Sequence, residues 1–215
     1  MSARPVVVVD YERGNLHSVA QAVARVGGSP RLSADPAEIA SAERLVLPGV
    51  GAFGDAMSRL AAAGLDDAVR RFAATGRPLL GVCLGMQLLF ERSSEFGDHA
   101  GLALLPGRVE RLPSPPAGHR DKIPNMGWCP LQPAPAGRPW ALGLLAEVKP
   151  GAFAYFFHSF AAHPADPAHL VAVCEFGGAP VAAVVSSGAI VGCQFHPEKS
   201  GPVGLTIYDT FVHRT

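Results

Sequence analysis

Apolar positions in the first half of the chain fall into two alternating kinds of run. Residues 6–9 form a continuous apolar stretch of strand length, the pattern of a strand covered on both faces. Leu16, Val19, Ala20 and Val23 then recur at helical spacing, which predicts a helix capped by Asn15 and ended by Gly27. Leu45, Val46 and Leu47 repeat the strand signal before Pro48 and a glycine-rich loop. Two apolar-periodic helices follow, one through Met57 and Leu60, the other through Leu65, Val69 and Phe72 to Gly76. Residues 78–82 read as the next strand, and Met86, Leu88, Leu89 and Phe90 as a helix stopped by the polar cluster around Ser93. Strands alternating with amphipathic helices predict an α/β fold: an open, mostly parallel twisted sheet with helices on both faces.

From Leu112 onward the pattern changes. Pro113, Pro115, Pro116, Pro124, Pro130, Pro133, Pro135 and Pro139 leave no room for long helices, so this stretch reads as loops and edge strands. Short aromatic and β-branched runs at 152–157, 170–174, 181–185 and 189–193 predict antiparallel strands in the C-terminal half. Ser186-Ser187-Gly188 is read as a hairpin joining the last two, and residues 206–212 as a final helix. No internal repeat and no long polar linker is visible, so residues 1–215 are expected to form one domain.

Composition narrows the function. Eighteen basic residues balance eighteen acidic ones, which argues against a nucleic-acid binder or a polybasic membrane-surface protein. The 22 uncharged residues 176–197 are long enough to span a bilayer, but Gly177, Gly178, Pro180, Ser186, Ser187 and Gly188 interrupt them. Strand, turn, strand is the better reading. Four cysteines without signal-peptide grammar at the N-terminus point to a reducing cytoplasm rather than a disulfide scaffold.

Three segments carry candidate chemistry. Gly49-Val50-Gly51-Ala52-Phe53-Gly54 fits a dinucleotide-binding fingerprint, but the expected acid at the end of the next strand is missing and Pro48 fits that motif badly. What such a loop offers in any case is backbone N–H groups. Gly81-Val82-Cys83-Leu84-Gly85 has the form of a nucleophile elbow with sulfur in place of oxygen, set where a strand turns into a helix. Its helix N-terminus favours a thiolate, and the Leu84 N–H can point at an oxyanion. A buried packing cysteine is the plain alternative there, and the expectation for Cys129, Cys174 and Cys193. In His196-Pro197-Glu198 an extended chain would put both side chains on one side, so Glu198 can hold one ring nitrogen and leave the other for sulfur. His158 competes as the base but has no carboxylate close in sequence, and Cys193 with His196 lacks the second ligand pair a metal site needs.

Taken in order, Pro48-Gly49-Val50-Gly51, Gly81-Val82-Cys83-Leu84-Gly85-Met86-Gln87 and His196-Pro197-Glu198-Lys199-Ser200 resemble the class I glutamine amidotransferases. Asp10-Tyr11 with Gly14-Asn15, Pro124-Asn125-Met126-Gly127-Trp128 and Tyr155-Phe156-Phe157-His158-Ser159 resemble the branch serving imidazole glycerol phosphate synthase, over essentially the whole chain. Two positions depart from that pattern: Glu12 stands where relatives often carry glycine, and Asn125 where many carry histidine.

The resemblance implies a flavodoxin-like glutaminase that needs no cofactor or metal, with Cys83, His196 and Glu198 as catalytic triad. It implies an oxyanion hole from the backbone of Val50, Gly51 and Leu84, and a glutamine pocket at Gly49, Gln87, Tyr155, His158, Ser159 and Phe160. It also implies a partner, a separate barrel-type cyclase that contacts Asn15, Asn125, Met126, Gly127, Trp128 and Lys199. Three other readings stay open: the glutaminase of another pathway such as anthranilate synthesis, a cysteine peptidase or thiol hydrolase, and a non-enzymatic redox-sensing module.

Overall fold

The computed structural model describes residues 3–135, 137–141 and 143–215. The first half runs β1 (Arg4–Val9), α1 (Leu16–Arg25), β2 (Gly28–Ser33), α2 (Pro36–Ser41), β3 (Leu45–Leu47), α3 (Phe53–Ala62), α4 (Leu65–Ala74), β4 (Leu79–Val82) and α5 (Leu84–Leu88). Then come β5 (Phe90–Ser93), β6 (His99–Ala100), β7 (Leu105–Arg111), β8 (Asn125–Pro130), β9 (Gln132–Pro133), β10 (Phe153–His158) and β11 (Phe160–Pro164). The chain closes with β12 (Leu170–Phe176), β13 (Ala179–Ser187), β14 (Ile190–Cys193) and α6 (Gly201–His213).

The main sheet has the order β2-β1-β3-β4-β14-β13-β12-β9. The pairs from β2 through β14 are parallel, and β13, β12 and β9 extend the sheet antiparallel. Side chains alternate between two cores. On β1, Val6 and Val8 join α1 and α6 on one face, where Val19, Val23, Ile207 and Phe211 are buried. Val7 and Val9 face the other, with Ile39, Leu60, Val69 and Phe72 from α2, α3 and α4. Both faces are therefore sealed, as continuous apolar strands require. Beside the sheet lie a β10–β8 ribbon and a small sheet of order β11-β7-β5-β6.

Several local expectations need correction. Asn15 occupies the cap position of α1 but makes no side-chain cap bond, because its ψ of 58° is not extended; only its carbonyl accepts, from the Val19 N–H at 3.0 Å. The pattern named neither β2 nor α2: β2 is an edge strand carrying Pro30 and exposed Leu32, so no apolar alternation marks it. The helix after Cys83 is five residues long, and Phe90 begins β5. Ser186 and Ser187 stay in the ladder, opposite Val191 and Ile190, so the hairpin turns on Gly188 and Ala189. The last helix begins earlier than expected, at Gly201 with Pro202 in its first turn.

Candidate active site

Parallel strands β3, β4 and β14 end side by side, and the three motifs sit on the loops just beyond them. This is the edge of an open α/β sheet at which ligands bind. Cys83 follows β4 directly and has φ 53° and ψ −112°, a strained conformation for a residue with a Cβ. Its N–H donates to the Cys193 carbonyl at 2.8 Å, tying the elbow to β14.

The glycines around it have steric reasons. A Cβ on Gly85 would lie 1.8 Å from the Leu47 carbonyl oxygen, one on Gly81 2.8 Å from the Gly85 carbonyl oxygen, and one on Gly49 3.0 Å from the Gly85 nitrogen. Glycine at these three positions lets the β3 loop and the start of α5 close against each other. The Tyr11 hydroxyl donates to the Pro48 carbonyl at 2.9 Å and braces that loop from behind. Gly51 turns it with φ +100°. α5 is five residues long, and Leu84, its first residue, joins the cavity lining.

Opposite, His196 is 3% exposed and its Nδ1 lies 2.9 Å from Glu198 Oε1, whose side chain is 1% exposed. The expected extended geometry is not how they meet: residues Pro197–Lys199 form one 3₁₀ turn started by Pro197, which curls the carboxylate back to the ring. Cys83 lines the same cavity as the imidazole, with its Sγ 3.9 Å from the Phe157 carbonyl oxygen. Burial alone lowers the His196 pKa, but hydrogen bonds to and negative charge on Cys83 and Glu198 outweigh it, so the net direction is up. The arrangement favours a charged imidazolium at His196.

Cys83 and His196 share a cavity of about 380 Å³, lined also by Val50, Gly51, Leu84, Gln87, Glu95 and the stretch 157–160. Gly49 and Tyr155 lie outside that lining. Gly49 is buried behind the loop against Tyr11, and Tyr155 alternates to the outer face of β10, where its ring meets Trp128 edge-on at 6.0 Å. Among the described residues no group of three or more His, Cys, Asp and Glu side chains is placed to hold a metal ion.

His158 does not compete as the base. Its Nδ1 lies 2.8 Å from the Phe160 carbonyl and its Nε2 3.1 Å from Asn125 Nδ2, so Nδ1 carries the proton and Nε2 accepts. Burial, with the neighbouring His196 charge, lowers its pKa to about 4, so it stays neutral. Asn125 is thereby a buried partner of His158 and not the surface residue expected of it. β8 alternates, putting Asn125 inward while Met126 and Trp128 lie outward, 66% and 54% exposed. Phe153 and Phe157 of β10 are also more than half exposed, and register pairs Phe157 with Met126 and Tyr155 with Trp128, so one apolar patch covers the ribbon. Lys199 stands over the Tyr155 ring with Nζ 5.9 Å from its centroid. Asn15 stands at the start of α1.

Sequence reasoning passes over Glu95 and Gln194. Glu95 lines the cavity while its Oε2 accepts from the Phe53 N–H at 2.7 Å; along the chain it merges into the polar cluster that ends a helix. Gln194 is fully buried beside Cys83, and its place two residues before His196 is the signal that could have found it.

Comparison with known proteins shows the family. Residues 7–214 match the family model for class-I glutamine amidotransferases. The chain is 44% identical over 208 residues to imidazole glycerol phosphate synthase subunit HisH 1 of Legionella pneumophila (strain Paris), covering 96% of this chain and 98% of that one. It is 44% identical over 212 residues to subunit HisH of Synechococcus sp. (strain JA-2-3B'a(2-13)), covering 99% and 94%. Among solved structures, a glutamine amidotransferase superposes with TM-score 0.68 at 19% identity, covering 94% of this chain and 98% of that one. PurLQS from Thermotoga maritima does so with TM-score 0.68 at 18%, covering 97% of each chain. Those two likenesses concern the fold. With an elbow cysteine, a carboxylate-held histidine and a family match spanning nearly every residue, the chain belongs to the class I glutamine amidotransferases.

Proposed function

We propose that residues 1–215 act as one glutaminase unit of imidazole glycerol phosphate synthase, hydrolysing glutamine to glutamate and passing the ammonia to a separate cyclase subunit in histidine biosynthesis. The observation that carries this is Cys83, at a strained elbow, sharing one cavity with a buried His196 held by Glu198. Near-full-length similarity to the Legionella and Synechococcus subunits favours this pathway over anthranilate synthesis.

The residues then take these parts. The Cys83 thiolate attacks the side-chain amide carbon of glutamine, and charge grows on the amide oxygen, where the backbone N–H groups of Leu84 and of Val50 or Gly51 receive it. Imidazolium His196 gives its proton to the leaving nitrogen, releasing ammonia and leaving a thioester. It next takes a proton from water to hydrolyse that ester, while Glu198 steadies the charged ring. Glu95 is the carboxylate of the cavity wall and offers a counter-charge to the α-ammonium of glutamine. Gln87 spends its amide N–H groups on the Phe160 carbonyl and Gln194 Oε1, both at 2.9 Å, which leaves its own oxygen for a substrate donor.

Ammonia set free in neutral water is mostly protonated and no longer a nucleophile, so a sheltered path to the cyclase is required. The patch of Met126, Trp128, Phe153 and Phe157, with Gly127 and Lys199 beside it, suits a barrel-type partner because Phe157 and Lys199 also line the cavity. We place the chain in the cytoplasm; among its described residues no helix is long and apolar enough to cross a membrane. Glutaminase activity is expected to be low for the chain alone and to rise when the cyclase with its ligand is added. Cys83→Ala should abolish glutamate formation, and Glu198→Gln should lower kcat by about 10²–10⁴-fold with the fold intact. Full activity in Cys83→Ala would refute the assignment.

A further inference from the structure

Gln194 follows β14 with no exposed surface, and its backbone N–H donates to the Ala183 carbonyl at 2.9 Å. Burying an amide side chain is costly unless each end is used. One end is plainly used: Gln194 Oε1 accepts from Gln87 Nε2 at 2.9 Å. The other points Nε2 at Cys83 Sγ, 3.9 Å away.

The hydrogen-bond network fixes which end is which. Phe160 offers a carbonyl, which can only accept, so the Gln87 atom 2.9 Å from it must be the NH₂ group. That same NH₂ faces Gln194, which must therefore present its oxygen. Turning Gln194 over would set two NH₂ groups against each other in a dry interior. The orientation is reinforced further out: His158 Nδ1–H also donates to the Phe160 carbonyl, Asn125 Nδ2 donates to His158 Nε2, and the Cys129 thiol donates to Asn125 Oδ1 at 3.7 Å. The Gln194 N–H that ends this network is the one aimed at sulfur.

We propose that Gln194 is a further catalytic residue, donating its side-chain amide to the Cys83 thiolate, and that Gln87 is the positioning residue that aims it. The proposal rests on the reading of Cys83 as nucleophile and adds a side-chain donor to the sulfur, separate from the backbone donors proposed for the oxyanion. Its role is to favour the charged sulfur before attack. Gln87 thus serves both the substrate and the nucleophile, which a wall residue alone would not.

The test is the pH dependence of Cys83 alkylation by iodoacetamide in the full chain, in which the thiolate displaces iodide, read on the Cys83 peptide by mass spectrometry. Gln194→Met keeps length and removes the donor; Gln194→Glu keeps shape and sets a carboxylate beside the sulfur. The thiolate midpoint should rise by about one unit in Gln194→Met and further in Gln194→Glu. At neutral pH kcat should fall roughly tenfold while KM for glutamine holds. An unmoved midpoint in both variants, or a raised KM with an unmoved midpoint, overturns the proposal. Should neither variant fold, the unaltered ¹⁵N-labelled chain decides: the Gln194 side-chain amide resonances must shift in step with Cys83 ionisation, and resonances that ignore it overturn the proposal. Alkylation and resonance shifts need no glutamine turnover, so failure of the glutaminase reading would register separately.

Discussion

His158 reports its surroundings through pH. Its pKa is lowered from 6.5 to about 4, chiefly by burial, so the unfolded chain binds a proton below 6.5 that the folded chain refuses until about 4. Stability must then fall as pH drops through that window, by about 3 kcal/mol at its foot. Urea unfolding between pH 6.5 and 4 should show the slope in the parent chain and a flatter one in His158→Gln. His196 has the opposite sign: its raised pKa makes its contribution complete below 6.5 and lost as pH climbs. At this scale the sequence was partly readable. Cys83, His196 and Glu198 stood out because each has a short-range context, a glycine-flanked elbow or a spacing of two. Gln194, Glu95 and the inward turn of Asn125 did not, because their partners lie 33 to 111 residues away along the chain. Glu12 has φ 62°, a left-handed conformation that glycine would adopt without strain and that the sequence around it does not announce.

The elements that position the site depend on close approach more than on propensity. α5 can start where it does only because Gly85 has no side chain facing the Leu47 carbonyl. Gly85→Ala should cost about 3 kcal/mol or more, measured by thermal or urea unfolding, whereas Gly76→Ala, in open space at φ +70°, should cost only about 1 kcal/mol. α6 works similarly on Glu198. A Cβ on Gly204 would meet the Pro197 carbonyl oxygen at 1.7 Å, so Gly204→Ala must push the helix from the turn that carries Glu198. Its kcat should fall more than its KM rises, since the cavity wall is formed mainly by other elements. Strand and helix periods revealed most of the main sheet, while β2 and the short β5–β6 pair escaped notice. β2 and β6 are edge strands and β5 is a four-residue inner strand; all three have few apolar residues, and only tertiary pairing makes them strands.

Across the described residues as a whole, two sealed cores leave one conspicuous apolar face, the β8–β10 ribbon with Met126, Trp128, Phe153 and Phe157 outward. Such a face beside a reactive cavity suits a docked subunit. Trp128→Ala should leave unfolding stability within about 0.5 kcal/mol while weakening cyclase binding by about 2 kcal/mol, some 30-fold, in a calorimetric titration. Unchanged affinity would move the interface elsewhere. Charge balance and the α/β pattern were enough to set the class of molecule, but a ribbon's outward face emerges only once register pairs Phe157 with Met126. In the proposed reaction the sulfur at position 83 bonds to the carbon of glutamine's side-chain amide. Intact-mass and peptide mass spectrometry on the chain, acid-quenched during turnover with its cyclase, should find a γ-glutamyl adduct on Cys83 that vanishes in Cys83→Ser. Turnover that persists in Cys83→Ser, or an adduct carried by Cys129, Cys174 or Cys193 instead, would contradict it.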